Sequence, residues 1–205
     1  ASALLLGLYA RGGHAWPLGF IVLLPWLLTL NHTRTLAGAL LSGWLMSVAF
    51  VLAVFVWFGT AVGSFTGSGT PLALLVASVL APLLQPQVLA FALVRHWVGA
   101  RHGPWLRALA GACAWVACEW AIPKLLGDTL GHGLAPSAEL RQIADLGGAA
   151  GITLLLILVN EALACAMTRW RAGARVLLPP LALAAAIPAL MLGYGQLRLS
   201  TLQLE

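Results

Sequence analysis

Charge is what this sequence most lacks. Of its 205 residues only 8% are Asp, Glu, Lys or Arg, 61% are hydrophobic, and the mean hydropathy is +0.95. A water-facing domain carries roughly 25% charged residues, so the deficit excludes an ordinary soluble surface and implies one that faces lipid. Cysteine is scarce too. Cys113, Cys118 and Cys165 are odd in number and lie in apolar runs, which favours free, buried thiols over a disulfide framework. Cys113 and Cys118 sit five apart, off a common helical face, which argues against a metal pair. The histidines (His14, His32, His96, His102 and His132) fall in loops or at helix ends, so no bis-histidine haem site lies within the membrane. The glycine-rich stretch 63–70 lacks the lysine and helix register of a phosphate loop and reads as a flexible external loop. No serine–histidine–acid set and no activated cysteine stands out. No cofactor or metal is implied.

What is present is a series of charge-poor runs of membrane length, at 1–10, 16–30, 36–58, 71–94, 104–122, 149–168 and 176–196. A span needs about 20 residues, or fewer where a tryptophan or tyrosine anchors its end. The fold class is therefore all-α, a polytopic bundle of about seven spans. The first run reaches only about 15 Å and reads as the outer half of a truncated helix. It is not a signal peptide, because no basic leader precedes it. The second is interrupted at Pro25. Residues 1–198 form the bundle, and 199–205 form an external tail.

Loop charge orients these runs. One alternating set of loops holds Arg34, Arg95, Arg101, Arg107, Arg169, Arg171 and Arg175 and no acid. The other holds Arg11, Lys124, Arg141 and Arg198 mixed with Asp128, Glu139 and Asp145, and its 59–70 loop is uncharged. The positive-inside rule places the first set in the cytoplasm, the N-terminus inside and the C-terminus outside. That topology accounts for the net charge of +5 without a nucleic-acid partner.

Polar groups within apolar runs need partners or a purpose. Glu119, in Trp115-Val116-Ala117-Cys118-Glu119-Trp120, reads either as an interfacial carboxylate paired with Lys124 or as the lining of a site at the outer surface. Asn160 reads as glue between helices. Glu161, a carboxylate deep in the sixth run, has a better claim to function or to a specific partner. Pro82, Gln85, Pro86 and Gln87 predict a kink with a polar pocket or lateral opening, with lipid in a groove beside it, or else a packing bend whose glutamines bond to adjacent helices. Small residues at Ala110, Ala114 and Cys118, and at Cys113, Ala117 and Ala121, read as a packing face. Most tryptophans mark interfaces, and Trp57 is the one kept as a candidate site residue.

The loop at 124–148 is longer than a packing turn requires, and long loops on an ordered scaffold carry function. It contains Asp128 and Gly131-His132-Gly133, then Leu140-Arg141-Gln142-Ile143-Ala144-Asp145-Leu146-Gly147-Gly148. Together with Trp115 through Glu119-Trp120, with Leu155, Leu158-Val159-Asn160, and with the earlier Trp16-Pro17-Leu18 and Gly43-Trp44, this order resembles the apolipoprotein N-acyltransferases. The resemblance runs over nearly the whole chain. Two departures stand out: Tyr9-Ala10-Arg11-Gly12-Gly13-His14 replaces the family's aromatic proline turn, and Gly131-His132-Gly133 its fuller loop pattern.

The resemblance implies a bacterial inner-membrane bundle that carries a periplasmic nitrilase-like domain, which moves an acyl chain from phospholipid to a lipoprotein through a Glu-Lys-Cys triad. No triad residue can be assigned in this chain. Trp57, Glu119, Asp128 and His132 would line the approach, with Glu161 as a further candidate, and the partners would be phospholipid and lipoprotein. The alternative is a non-catalytic integral subunit or scaffold packed against neighbouring membrane subunits. A transporter is a weaker reading, since no repeated half is evident. On the first reading the natural gene continues past Glu205 into alternating strands and helices with a Glu, a Lys and a Cys. Intact mass of the natural protein checks this, and a mature product ending at Glu205 within a larger complex would favour the scaffold.

Overall fold

The computed structural model describes residues 1–123 and 127–202. Among them are nine α-helices and no strand. These are α1 (Ser2–Tyr9), α2 (Leu24–Leu30), α3 (Leu36–Val54), α4 (Val56–Thr66), α5 (Thr70–Leu84), α6 (Pro86–Gly99), α7 (Pro104–Ala121), α8 (Ala144–Thr168) and α9 (Ala174–Leu202). The protein is an all-α polytopic bundle. Among the described residues four stretches are long and apolar enough to cross a membrane: Gly13–Leu30, Leu36–Val54, Leu140–Thr168 and Ala174–Thr201. The bent pair Thr70–Leu84 and Pro86–Gly99 makes a fifth. The two other expected runs are helical but fall short. α1 has only 8 residues, and α7 carries Arg107, Glu119 and three tryptophans in its 18. α9 runs on to Leu202, so the expected tail begins as helix. Lys124, the expected partner of Glu119, lies outside the described residues, as do residues 203–205.

α8 itself turns at Gly147–Gly148, where Gly148 has φ +61°, and three further breaks shape the bundle. The first was expected at Pro25, but Pro25 sits in the first turn of α2, where its missing N–H leaves no bond unmade. The break lies before it, between a 3₁₀ segment (Gly13–Phe20) and α2. Asn160 of α8 bridges it: its Oδ1 accepts from Leu23 N at 2.9 Å, and its Nδ2 donates to Gly19 O at 2.9 Å. The expected glue thus holds broken backbone rather than a second side chain.

The second break is at Phe55, where α3 gives way to α4. The uncharged external loop expected at 59–70, with its flexible glycine-rich part at 63–70, is mostly helix. Gly59 and Gly63, one turn apart, let α4 lie directly on α5. A Cβ at Gly63 would fall 2.6 Å from the Gly69 carbonyl carbon, and one at Gly59 would overlap Leu74. Glycine is read better here as close helix packing than as a flexible link.

The third break is the expected proline kink. α5 and α6 meet at 48°, with Gln85 out of helical geometry between them. Both glutamines are buried. Gln87 Nε2 donates to Gln85 Oε1, and Gln85 Nε2 donates to Asp128 Oδ2 at 3.3 Å.

α8 is the pillar of the molecule, with its span 61% buried against 33% or less for the other three. Glu161 on α8 takes a fork from Arg95 of α6. Arg95 Nε donates to Oε1 and Nη2 to Oε2 at 3.0 Å, while Nη2 also reaches Asn31 Oδ1 at 2.8 Å. Arg95, expected in a loop, is therefore a buried helical residue. Such a pair is tolerated in an apolar interior because both ions are matched and hydrogen-bonded.

The packing face of α7 also differs from expectation. Ala108, Gly111, Ala112 and Trp115 are buried, while Cys113, Ala117 and Ala121 point outward. The large indole decides the face: Trp26, Phe91 and Trp115 pack in sequence, the first pair tilted and the second edge-to-face, with ring centroids 5.4 and 5.8 Å apart.

Asn160→Ala should destabilise the bundle by about 2 kcal/mol, because it leaves buried backbone groups of the first break unpaired. Chemical unfolding in detergent measures this, and a change below about 0.5 kcal/mol would show that water replaces the amide.

Candidate functional site

The long loop is not a surface strap. Two 3₁₀ turns, Leu130–Leu134 and Leu140–Ile143, press Leu130, Leu134, Leu140 and Ile143 into the core. Thr129 caps the first turn by accepting from Gly131 N at 3.1 Å, and Thr153 of α8 accepts from the same N–H at 2.9 Å. Tyr9, at the end of α1, donates its hydroxyl to Leu130 O at 2.8 Å. Its ring lies so close under Gly133 that a Cβ there would overlap it. Any side chain at this position would lift the turn off α1.

With the loop seated this way, a cavity of about 690 Å³ opens between α1, the α3–α4 break, α6, α7 and the loop. Its wall gathers four of the five sequence candidates: Trp57 from the start of α4, Glu119 from the last turn of α7, and Asp128 and His132 from the loop. Trp57 and His132 are exposed, and Glu119 and Asp128 are half-buried. Asp128 is held to the α5–α6 kink through Gln85. The apolar side is formed by Leu6, Phe50, Val54 and Phe55, with the Phe55 and Trp57 rings 6.5 Å apart. The fifth candidate, Glu161, does not line this cavity, because it is engaged with Arg95 on another side of the bundle.

Three lining residues went unnoticed in the sequence: Tyr9, Gln87 and Trp115. The first two sat inside a departure and a kink that were noted for other reasons. Trp115 formed part of a motif whose charged member drew the attention. Gln87 and Trp115 matter because they are buried at the wall and each has a polar atom with no hydrogen-bond partner among the described residues. Gln87 leaves the acceptor Oε1, and Trp115 leaves the donor Nε1. Such groups are costly unless something fills the space beside them. The site therefore offers an apolar wall, a buried donor from Trp115, a buried acceptor from Gln87 and a mouth with both signs of charge. Among the described residues no group of His, Cys, Asp and Glu is placed to hold a metal.

These features define a multi-pass helical membrane protein with a half-enclosed, mostly apolar cavity at one end. Residues 2–162 match the family model described as the apolipoprotein N-acyltransferase N-terminal domain, and the chain belongs to that family. It is also similar to an apolipoprotein N-acyltransferase of Rhodopirellula baltica, with 39% identity over 69 residues. That match covers 30% of this chain and 12% of the relative. No solved structure matches the chain.

Gly133→Val should cost about 2 kcal/mol by overpacking, and Tyr9→Phe about 1 kcal/mol by loss of one hydrogen bond. Unfolding midpoints in detergent measure both. A Gly133→Val protein as stable as the parent would mean that the loop is not seated on Tyr9.

Proposed function

We propose that this chain is the membrane domain of an apolipoprotein N-acyltransferase-like protein. It admits a phospholipid acyl donor into the 690 Å³ cavity and anchors a periplasmic nitrilase-like domain above it. The observation that carries this reading is the cavity's mixed character. An acyl chain suits the Leu6, Phe50, Val54 and Phe55 wall, and the ester and headgroup suit the polar mouth. An ester carbonyl can accept from Trp115 Nε1, and a headgroup hydroxyl or ammonium can donate to Gln87 Oε1. Trp57 and His132 then stand at the rim, and Glu119 and Asp128 bear on the headgroup. The acyl-transfer chemistry belongs to the further domain, and the lipoprotein substrate meets the site there. On this reading the cavity end of the bundle faces the periplasm of a bacterial inner membrane, and Glu161 serves the fold.

A phosphatidylethanolamine bearing a diazirine in its acyl chain tests the proposal. After photolysis in proteoliposomes, saturable labelling should map to peptides around residues 50–57 and 127–136. Glu119→Gln combined with Trp57→Ala should weaken it about fivefold, equivalent to roughly 1 kcal/mol of lost headgroup contact. Labelling spread evenly over the lipid-facing helices, with no saturation, would sink the proposal and favour a non-catalytic scaffold.

A further inference from the structure

At the opposite end of the bundle lie two adjoining cavities, about 620 and 260 Å³, that share Asn31 and Arg107 in their walls. The other titratable side chains of the larger one are His32, His102, Arg169 and Cys165. Those of the smaller are Arg34, Arg95 and His96. Among the described residues neither wall contains a carboxylate. The nearby acid is Glu161, and both of its oxygens are already taken by Arg95. Surface arginines here have partners of another kind: Arg101 and Arg171 each stack over a neighbouring indole, Trp97 and Trp170, at 4.7 Å. Arg107 has none of this, and its Nε is a buried donor without an acceptor among the described residues.

Asn31 points to the same conclusion through its orientation. Arg95 can only donate, so the atom of Asn31 that receives Nη2 at 2.8 Å must be Oδ1. That fixes the amide and leaves Nδ2 as its other end, which is also buried and also without an acceptor. Two unmet donors therefore lie between two cavities whose remaining charge is all positive. A ligand that fits must accept hydrogen bonds, donate none at this point, and carry negative charge. We infer that Arg107 and Asn31, with His102 and Arg169 around them, form a binding site for a phosphate group. The Nε edge of a guanidinium suits a phosphate oxygen as a directed, charge-assisted contact that an ammonium cannot copy. The phosphate can belong to an anionic lipid headgroup at this membrane face or to a soluble phosphate. The inference is independent of the acyl-donor proposal, which concerns the other end of the molecule.

Calorimetric titration of the full chain in neutral detergent tests it. The probes are inorganic phosphate and dihexanoyl phosphatidylglycerol, with dihexanoyl phosphatidylcholine as the zwitterionic comparison. Saturable binding of phosphatidylglycerol alone assigns the site to a lipid headgroup. Binding of inorganic phosphate with similar affinity assigns it to a soluble anion. Either result supports the inference if Arg107→Lys, which keeps the charge but removes the guanidinium edge, weakens binding about tenfold. The Arg171→Gln control should change nothing. Asn31→Asp keeps an acceptor for Arg95 while placing a carboxylate in the site, so it should abolish binding without loosening the fold, and it serves if Arg107→Lys does not fold. The inference is overturned if no probe saturates, if Arg107→Lys and Asn31→Asp bind like the parent, or if Arg171→Gln weakens binding as much as they do.

Discussion

The structure depends on one constraint: backbone broken inside an apolar bundle must find its hydrogen bonds from side chains, because no water is there to supply them. α8 supplies them. Thr153 takes the N–H of Gly131 in the folded loop, and Asn160 closes the gap before α2. Glu161 neutralises the arginine that α6 carries into the interior. These three residues face three different neighbours from one helix. The 3₁₀ segment and the long loop can therefore be irregular, and α6 can carry a buried arginine, while the molecule stays ordered. A regular helix with apolar residues at these positions would leave each irregular element with unmet polar groups.

This arrangement gives the bundle two unlike ends. At one, the loop and the α3–α4 break splay the helices and leave a cavity with an apolar wall and a mouth of mixed charge. At the other, the turns are rich in arginine, and the interior cation is held by Glu161 and Asn31. The same Arg95 contact that secures α6 to α8 also orients Asn31, so packing in the core fixes the chemistry at the basic end.

Much of the fold was legible in the sequence. Long charge-poor runs read as spans, which holds for up to five of the seven, and the Pro82–Pro86 cluster marks the bend between α5 and α6. Trp57 and Glu119 stood out as polar or amphipathic groups at run ends, Asp128 and His132 as members of a long loop, and only the family resemblance grouped the four. Composition and spacing could not show that they share one cavity, since residues 57, 119 and 128–132 meet only through the packing of α4, α7 and the loop. Glu161 was read as unusual for a sound reason, the rarity of a buried carboxylate, but its partner lies 66 residues away. Arg95 looked like a loop charge because its neighbours His96 and Arg101 are polar. The stretch 59–70 looked like a loop because a glycine that permits contact and a glycine that permits flexibility are spelled the same way.

The sequence by itself determined the solvent of this protein, its helical class, its proline bend and the bias of arginine to one set of turns. Each of these follows from composition or from spacing along a single helix, where the relevant forces are local. Only the tertiary structure decided where the helices break without proline, which buried charge answers which, and which side chains converge on a cavity. Those outcomes rest on contacts between segments far apart in the chain. The sequence names the polar groups that must be satisfied, but only packing brings their partners within hydrogen-bonding distance.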